Sequence, residues 1–378
     1  MRGPLLGIVT IRTHTEHSAG QRDEFGQRHL PSLERRRRGP RAVRPAGRGD
    51  YPSNAGGTPP LERTPMRYDP RTIDTVTDGS VRAAVRWAIL LVVAAAACAG
   101  TYYLMVRTER GQTIEDYALA GSDQIGSNAG LRAGDFLSQI STTSLVVTTI
   151  VIFAIGLARG RLLLALAGVA IVIGGQVVAQ PLKSELIRPD LLEATGAPDH
   201  NSFPSGHSAI AASIVCALLV VVPYRLRGIV GVIGVTGATA ISTYTVVAKW
   251  HRLSDTVGAN AVAVGVACLV MLVCTACGAI RLQVVAPGSG STVLRNAAVV
   301  ALTGGAMVVS VGAVLVIADG WNRVPLDWVS SDRFLLGSQL LAASATVLCL
   351  IAFWATLYRL DLAPRRRVSV GGSTVLRV

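Results

Sequence analysis

Three histidines lie outside the first 80 residues of the chain: His200, His207 and His251. They occur in two polar stretches that also carry the only two lysines, Lys183 and Lys249. Imidazoles act as general acids, general bases or nucleophiles near neutral pH, and cationic side chains bind anions. The two stretches therefore gather the groups that a transfer reaction on an anionic substrate requires.

The first stretch contains the segment Asn201–His207, which reads Asn-Ser-Phe-Pro-Ser-Gly-His and comes directly before an apolar run. Pro204 suits the first turn of a helix, where a backbone N–H is not needed. The N–H groups of Ser205, Gly206 and His207 are then expected to be free to bind a phosphate-like anion. His207 is expected to donate a proton to a leaving oxygen. An ordinary helix cap is the alternative interpretation.

The second stretch places His251 four residues before Asp255, on one face if the chain is helical there. A carboxylate that accepts the N–H of one ring nitrogen fixes the tautomer and makes the other nitrogen more nucleophilic. This spacing is the one that a covalent histidine catalyst uses, although a structural histidine with a capping aspartate has the same pattern. Lys183 and Arg188 end an apolar segment and are either anion-binding groups or interfacial anchors.

The composition indicates that membrane-spanning helices hold these residues. Hydrophobic residues make up 50% of the 378 residues and charged residues 16%, against about 25% charged residues in soluble domains. Several apolar runs have the length of about 20 residues that crosses a hydrocarbon core of about 30 Å, which excludes an ordinary soluble domain and a singly anchored one. The eight predicted spans are Trp87–Met105, Ile140–Ala158, Leu162–Gln180, Pro204–Val222, Gly228–Val247, Thr256–Ala279, Ala297–Ile317 and Leu335–Leu357.

The arginines predict the orientation of these spans, because basic loops are retained on the cytoplasmic side. With the first span starting inside, one set of connections is rich in arginine, including Arg159, Arg161, Arg225 and Arg227. The histidines fall on the opposite side. The sequence therefore predicts a multi-pass protein of the cell membrane, with both termini cytoplasmic and the polar stretches extracytoplasmic.

Residues 1–80 are rich in Arg, Pro, Gly and Ser and are predicted to be a disordered basic tail. No aromatic residues interleave its run Arg35–Arg38, so no nucleic-acid partner is expected.

All six cysteines fall in apolar segments, and the pair Cys274 and Cys277 is interpreted as packing within the bundle. No cluster has metal-ligand spacing, and no metal or cofactor is expected.

Taken together, the three polar segments resemble the signature of the type 2 phosphatidic acid phosphatase superfamily, K-x6-R-P, P-S-G-H and S-R-x5-H-x3-D. The resemblance covers about residues 85–280, with the motifs in the loops after the third and fifth spans. It implies an all-α polytopic membrane bundle with a six-span phosphatase core at 81–280. Residues 281–378 are predicted to add two further transmembrane helices and a basic cytoplasmic tail.

The resemblance also implies a role for each matching residue. His251 is the nucleophile that forms a phosphohistidine, Asp255 orients it, and His207 protonates the leaving group and later assists water. The groups implied to hold the phosphate oxygens are Arg188, Ser205 and Gly206. No metal is implied.

The chain departs from the signature in its first motif. The lysine expected seven residues before Arg188 is replaced by Pro181, and Lys183 stands only five residues before that arginine. Lys183 is kept as a candidate phosphate-binding residue.

A second departure lies in the third motif, where Tyr244 and Thr245 occupy the positions of Ser and Arg. Lys249, four residues after Thr245 on the same helical face, and Arg252, next to His251, are the candidates to replace the missing cation.

The preferred interpretation is a lipid phosphatase whose substrate is a polyprenyl diphosphate, phosphatidic acid or phosphatidylglycerophosphate, with an envelope carrier lipid as the first choice. Its expected partners are this substrate and the membrane lipids. The alternative is a polytopic transporter or scaffold whose catalytic motif has decayed. A vanadate haloperoxidase is disfavoured because no soluble halide-oxidising domain is visible.

Overall fold

The computed structural model of the chain describes residues 71–122, 127–192, 201–278, 281–284, 290–322, 328–358, 360–363, 369–370 and 373–374. The first 70 residues of the predicted disordered tail, and His200, lie outside the described residues. The first helix begins at Arg71, so the tail boundary predicted at residue 80 lies inside a helix.

Helices account for most of the described residues, which confirms the predicted all-α fold. A π-helical turn, Tyr102–Val106, continues the first helix. The α-helices are α1 (Arg71–Thr101), α2 (Glu109–Gly121), α3 (Ser127–Ser138), α4 (Thr142–Ala158), α5 (Leu162–Glu185), α6 (Gly206–Val221), α7 (Arg227–Val247), α8 (Leu253–Ala276), α9 (Gly290–Trp321) and α10 (Trp328–Thr356).

Two short antiparallel strand pairs complete the described structure. Strand β1 (Arg281–Val284), after α8, pairs with β2 (Leu360–Ala363), after α10, and thereby joins the ends of these two helices. Strands β3 (Ser369–Val370) and β4 (Ser373–Thr374) form the second pair.

Six of the eight predicted spans are helices long and apolar enough to cross a membrane, and they belong to α1, α5, α7, α8, α9 and α10. The other two differ from the prediction. Helix α4 has 17 residues and forms, with α3, a pair bent by 53°. Helix α6 has only 16 residues, which at about 1.5 Å per residue gives roughly 24 Å and not the thickness of the hydrocarbon core.

Helix α8 lies at the centre of the bundle and packs against α1, α5, α6 and α10. Its buried face consists largely of Ala, Gly and Val, which let neighbouring backbones approach closely. At Gly258 a Cβ would lie 2.4 Å from the ring of Phe203, so only glycine fits there. Helix α9 is the least buried of the six candidate spans and packs mainly on α10.

This packing brings the polar stretches together at one end of the bundle. The end of α5, the start of α6 and the turn between α7 and α8 meet there, because the Ser205 N–H donates to the backbone oxygen of Asp255 over 2.9 Å. Helix α2 also lies at this end, where it packs against α10 and contacts the residues that precede α8.

Candidate active site

His251 and Asp255 are in contact, although His251 precedes α8 and the two residues do not share a helical face as expected. His251 Nδ1 lies 3.3 Å from Asp255 Oδ2, and the two side chains are 7% and 0% exposed. With the Nδ1 proton directed at the carboxylate, Nε2 carries the lone pair and faces away from Asp255. The geometry is that of an oriented imidazole with one nucleophilic nitrogen.

The carboxylate of Asp255 is itself fixed by two further donors. Ser202 Oγ donates to Oδ2 over 2.5 Å, and the Arg252 N–H donates to the same oxygen over 2.9 Å. Asp255 is the third residue of α8, so it accepts the N–H of the residue that precedes the helix, as a capping carboxylate does. The aspartate therefore both caps α8 and fixes the orientation of the His251 ring.

His207 lies across from this pair in the first turn of α6. Its ring centroid is 6.2 Å from that of His251 and 5.2 Å from that of Trp250. Lys183, in the last turn of α5, is half-buried and close enough to His207 to act on it electrostatically. The structure thus brings together the two histidines and the lysine that the sequence singled out.

The start of α6 differs from the prediction. Pro204 lies before the helix, and Ser205 is the N-cap, with Oγ accepting the N–H of Ser208 over 3.3 Å. The Ser205 N–H, expected to be free, is bonded to the backbone of Asp255, so that expectation was wrong. In the described part of the chain, the N–H groups of Gly206 and His207 have no partner and point out of a helix N-terminus, which favours anions.

Two arginines lie near this pair, Arg188 with its side chain beside Asp255 and Arg252 with its backbone N–H bonded to it, and each side chain is paired with an acid outside the three sequence motifs. Arg188 Nη2 lies 3.1 Å from Glu115 Oε2 and 3.9 Å from Asp255 Oδ1. Arg252 Nη2 lies 3.2 Å from Asp116 Oδ1. Both arginine side chains are 6% exposed, and their Nε atoms have no hydrogen-bond partner among the described residues.

Glu115 is held on both sides within the protein. Its Oε1 accepts the N–H of Ser254 over 2.7 Å, and its Oε2 accepts from Arg188. Burial raises the pKa of this carboxyl, while the adjacent guanidinium of Arg188 opposes the rise. The only sequence signal for Glu115 and Asp116 is their position between the first two apolar segments, on the same predicted side as the histidines.

The candidates for the missing third-motif cation occupy different places. Arg252 is buried beside His251, whereas Lys249 is exposed. Helix α7 ends at Val247, so Lys249 does not extend its face as expected. Thr245, at the position of the missing arginine, is buried with its hydroxyl bonded to a backbone oxygen.

Lys249 adopts a left-handed backbone conformation, with φ of 58°. Its N–H donates to Val246 O and the Trp250 N–H donates to Thr245 O, which is a Schellman helix end with lysine where glycine is usual. We expect Lys249→Gly to be more stable to unfolding than Lys249→Ala by about 0.5–1 kcal/mol, because only the glycine relieves this strain.

Denaturant unfolding of both variants in one detergent measures this difference. Both variants lack the lysine charge, so the difference between them reports the effect of the backbone conformation on stability. Equal stability of the two variants would contradict the left-handed conformation.

This end of the bundle gathers groups of the kinds that bind and attack a phosphoryl group. They are an oriented imidazole, a second imidazole whose ring centroid is 6.2 Å from the first, the N-terminus of α6 and two buried arginines. No group of three or more His, Cys, Asp or Glu side chains suited to a metal ion occurs among the described residues.

Comparison with known families gives one match. Residues 70–278, more than half of the chain, match the family model described as the PAP2 superfamily. The match runs from the residue before α1 to the end of α8 and does not include α9 and α10. No curated protein and no solved structure matches the chain.

Proposed function

Because the chain belongs to the PAP2 superfamily, we propose that it hydrolyses a lipid phosphate or diphosphate through a phosphohistidine at the extracytoplasmic face of a cell membrane. The observation that carries this proposal is the position of His251 between Asp255, which contacts its Nδ1, and the ring of His207, where α6 and α8 begin. A decayed site would have no reason to keep Asp255 bonded and the nucleophile buried.

In the first step His251 Nε2 attacks phosphorus, and the bond between phosphorus and the lipid oxygen breaks. Protonated His207 gives its proton to the departing oxygen, so an alcohol, or a lipid monophosphate in the case of a diphosphate, is released. Asp255 stabilises the positive charge that develops on the ring of His251. The product of this step is a phosphohistidine.

In the second step water attacks the phosphohistidine. His207, now neutral, accepts a proton from the water, the P–N bond breaks and inorganic phosphate leaves. The Nε donors of Arg188 and Arg252 and the N–H of Gly206 would stabilise the charge on the equatorial oxygens in both steps. Arg252 thereby supplies the cation that the third motif lacks.

The arginines support the proposed side of the membrane. Arg159, Arg161 and Arg227 stand at the ends of α4, α5 and α7 opposite the histidines, and Arg161 and Arg227 bond to the β2 backbone. An arginine-rich end is typical of the cytoplasmic side, so the site would face outward.

An apolar groove supports a lipid as the substrate. It has a volume of about 460 Å³ and lies between α1, α5 and α8, in the size range of about 300–1,000 Å³ that is typical of ligand sites. Phe203 and Leu186, which flank the catalytic loops, line it together with Ala95, Ala99 and Val178. Ala95, Ala99 and Val178 are exposed at its edge, so a chain in the bilayer could enter sideways.

Filling the groove tests its role. We expect Ala99→Phe to raise the KM for a long-chain lipid phosphate about tenfold, which corresponds to the free energy of burying roughly two methylene groups. Turnover of para-nitrophenyl phosphate, which has no such chain, should be unchanged. Ala97→Phe is the matched control, since Ala97 is exposed on α1 but does not line the groove. Equal KM values in both variants would contradict a substrate chain in this groove.

The proposed function is tested by phosphate release from purified protein in detergent. The substrates are a polyprenyl diphosphate, phosphatidic acid and phosphatidylglycerophosphate, each with and without vanadate, which imitates trigonal-bipyramidal phosphorus. We expect vanadate-sensitive release from at least one of them. Absence of release from all three would favour the decayed transporter or scaffold.

A further inference from the structure

The adjacent acids Glu115 and Asp116 on α2 each meet one of the two arginines near Asp255. Glu115 is 1% exposed and binds Arg188, and Asp116 binds Arg252. Glu115 also accepts the N–H of Ser254 in the first turn of α8. One turn of α2 is therefore connected to both arginines and to the helix that carries Asp255.

These pairs determine where the arginines can point. A buried guanidinium without a counter-charge is strongly destabilised, so Arg188 and Arg252 keep the conformations that reach their acids. Each acid occupies one terminal nitrogen, while the buried Nε of each arginine has no partner in the described part of the chain. We expect an anion bound beside His251 to accept from these Nε donors without displacing either acid.

Helix α2 is held in this place by α10. At Gly121 a Cβ would lie 2.4 Å from the backbone oxygen of Ser331, so the two helices touch through their backbones. The rings of Tyr117 and Phe334 stack with centroids 5.4 Å apart. Helix α10 is in turn bonded to α8, where Asn260 Nδ2 donates to Thr346 Oγ1 over 2.9 Å.

We propose that Glu115 and Asp116 are positioning residues for Arg188 and Arg252, and that α10 holds them in register. The inference rests on the proposed function and extends it, because α10 lies outside the family match. Helix α10 is thus part of the catalytic unit rather than an appendage to it. The catalytic unit therefore extends beyond residue 280 into α10.

The first test is Glu115→Gln, which keeps an acceptor for the Ser254 N–H but removes the charge that orients Arg188. We expect kcat to fall about 100-fold, the effect of a small misplacement of a catalytic group. The Kd for vanadate, the transition-state analogue, should rise in parallel, and the Kd for inorganic phosphate should change less than about threefold. Glu109→Gln, an exposed acid on the same helix, should behave as the parent.

The second test addresses α10. Gly121→Ala places a methyl group against Ser331 and should push α2 away, lowering kcat and vanadate affinity at least about tenfold by displacing the same groups. Gly312→Ala on α9, where a Cβ meets no atom within 4 Å, is the matched control. Combined with Glu115→Gln, Gly121→Ala should add less than its own effect, since both act through Glu115.

Calorimetric vanadate binding separates the two proposals, because it needs no turnover. A parent that binds vanadate but releases no phosphate would contradict the proposed function alone. A parental vanadate Kd in Glu115→Gln, or equal weakening of vanadate and phosphate, would overturn the positioning role. Full additivity of Gly121→Ala and Glu115→Gln would overturn the part assigned to α10.

Discussion

His251→Ala is expected to lower kcat by about 10⁴-fold or more, because it removes the nitrogen that we propose forms the covalent intermediate. The residue is 6% exposed and its Nδ1 is held by Asp255, so among the described residues no other imidazole takes its place without moving. The ring of His207 is 6.2 Å away between centroids, and no carboxylate among the described residues binds it. Phosphate release from the best substrate, measured beside the thermal midpoint in detergent, checks this expectation.

Added imidazole supplies a control for this variant. The alanine leaves space where the ring stood, and free imidazole in that space should restore part of the activity if Nε2 is the nucleophile. The parent should not respond to the same imidazole. Retention of more than a few per cent of the parent activity by His251→Ala would contradict the nucleophilic role.

Asp255→Asn is expected to lower kcat by about 10³- to 10⁴-fold with little change in side-chain volume. The amide can turn its NH₂ group toward His251 Nδ1, which favours the tautomer that carries its proton on Nε2. In this tautomer Nε2 has no lone pair with which to attack phosphorus. The acceptor for Ser202 Oγ and for the Arg252 N–H is weakened at the same time. Steady-state kinetics should show the loss in kcat rather than in KM.

Asp135→Asn is the matched control, since Asp135 is exposed on α3 at the same end of the bundle. It should keep the parent kcat. If Asp255→Asn and Asp135→Asn had similar activity, the carboxylate would serve only to cap α8.

The parts of the site that the sequence predicts are those fixed by short-range geometry. His251 and Asp255 are four residues apart where α8 begins, and the extended backbone of the N-cap residue Arg252 brings His251 back over the first turn, so their contact follows from local capping geometry. His207 falls at a helix N-terminus for a local reason too, because Ser205 caps the helix that begins at the next residue. The family match over residues 70–278 confirms the resemblance that these motifs indicate.

Other parts depend on tertiary structure that no local pattern encodes. Glu115 reaches Arg188 across 73 positions only because α2 docks on α10, and nothing in the sequence around it marks that docking. The place of Pro204 was wrong by two residues because a proline suits the first turn and the preceding loop alike. Lys249 was placed on a helix because the Schellman turn that ends α7 has no glycine to reveal it.

The most direct measurement of the central proposal is chemical identification of the phosphoenzyme. Protein mixed with phosphate-labelled substrate is quenched in alkali, where a P–N bond survives, and the peptides are mapped by mass spectrometry. The label should sit on His251, be lost in acid and be absent from His251→Ala. Label on another residue, or equal labelling of His251→Ala, would contradict catalysis through a phosphohistidine at this position.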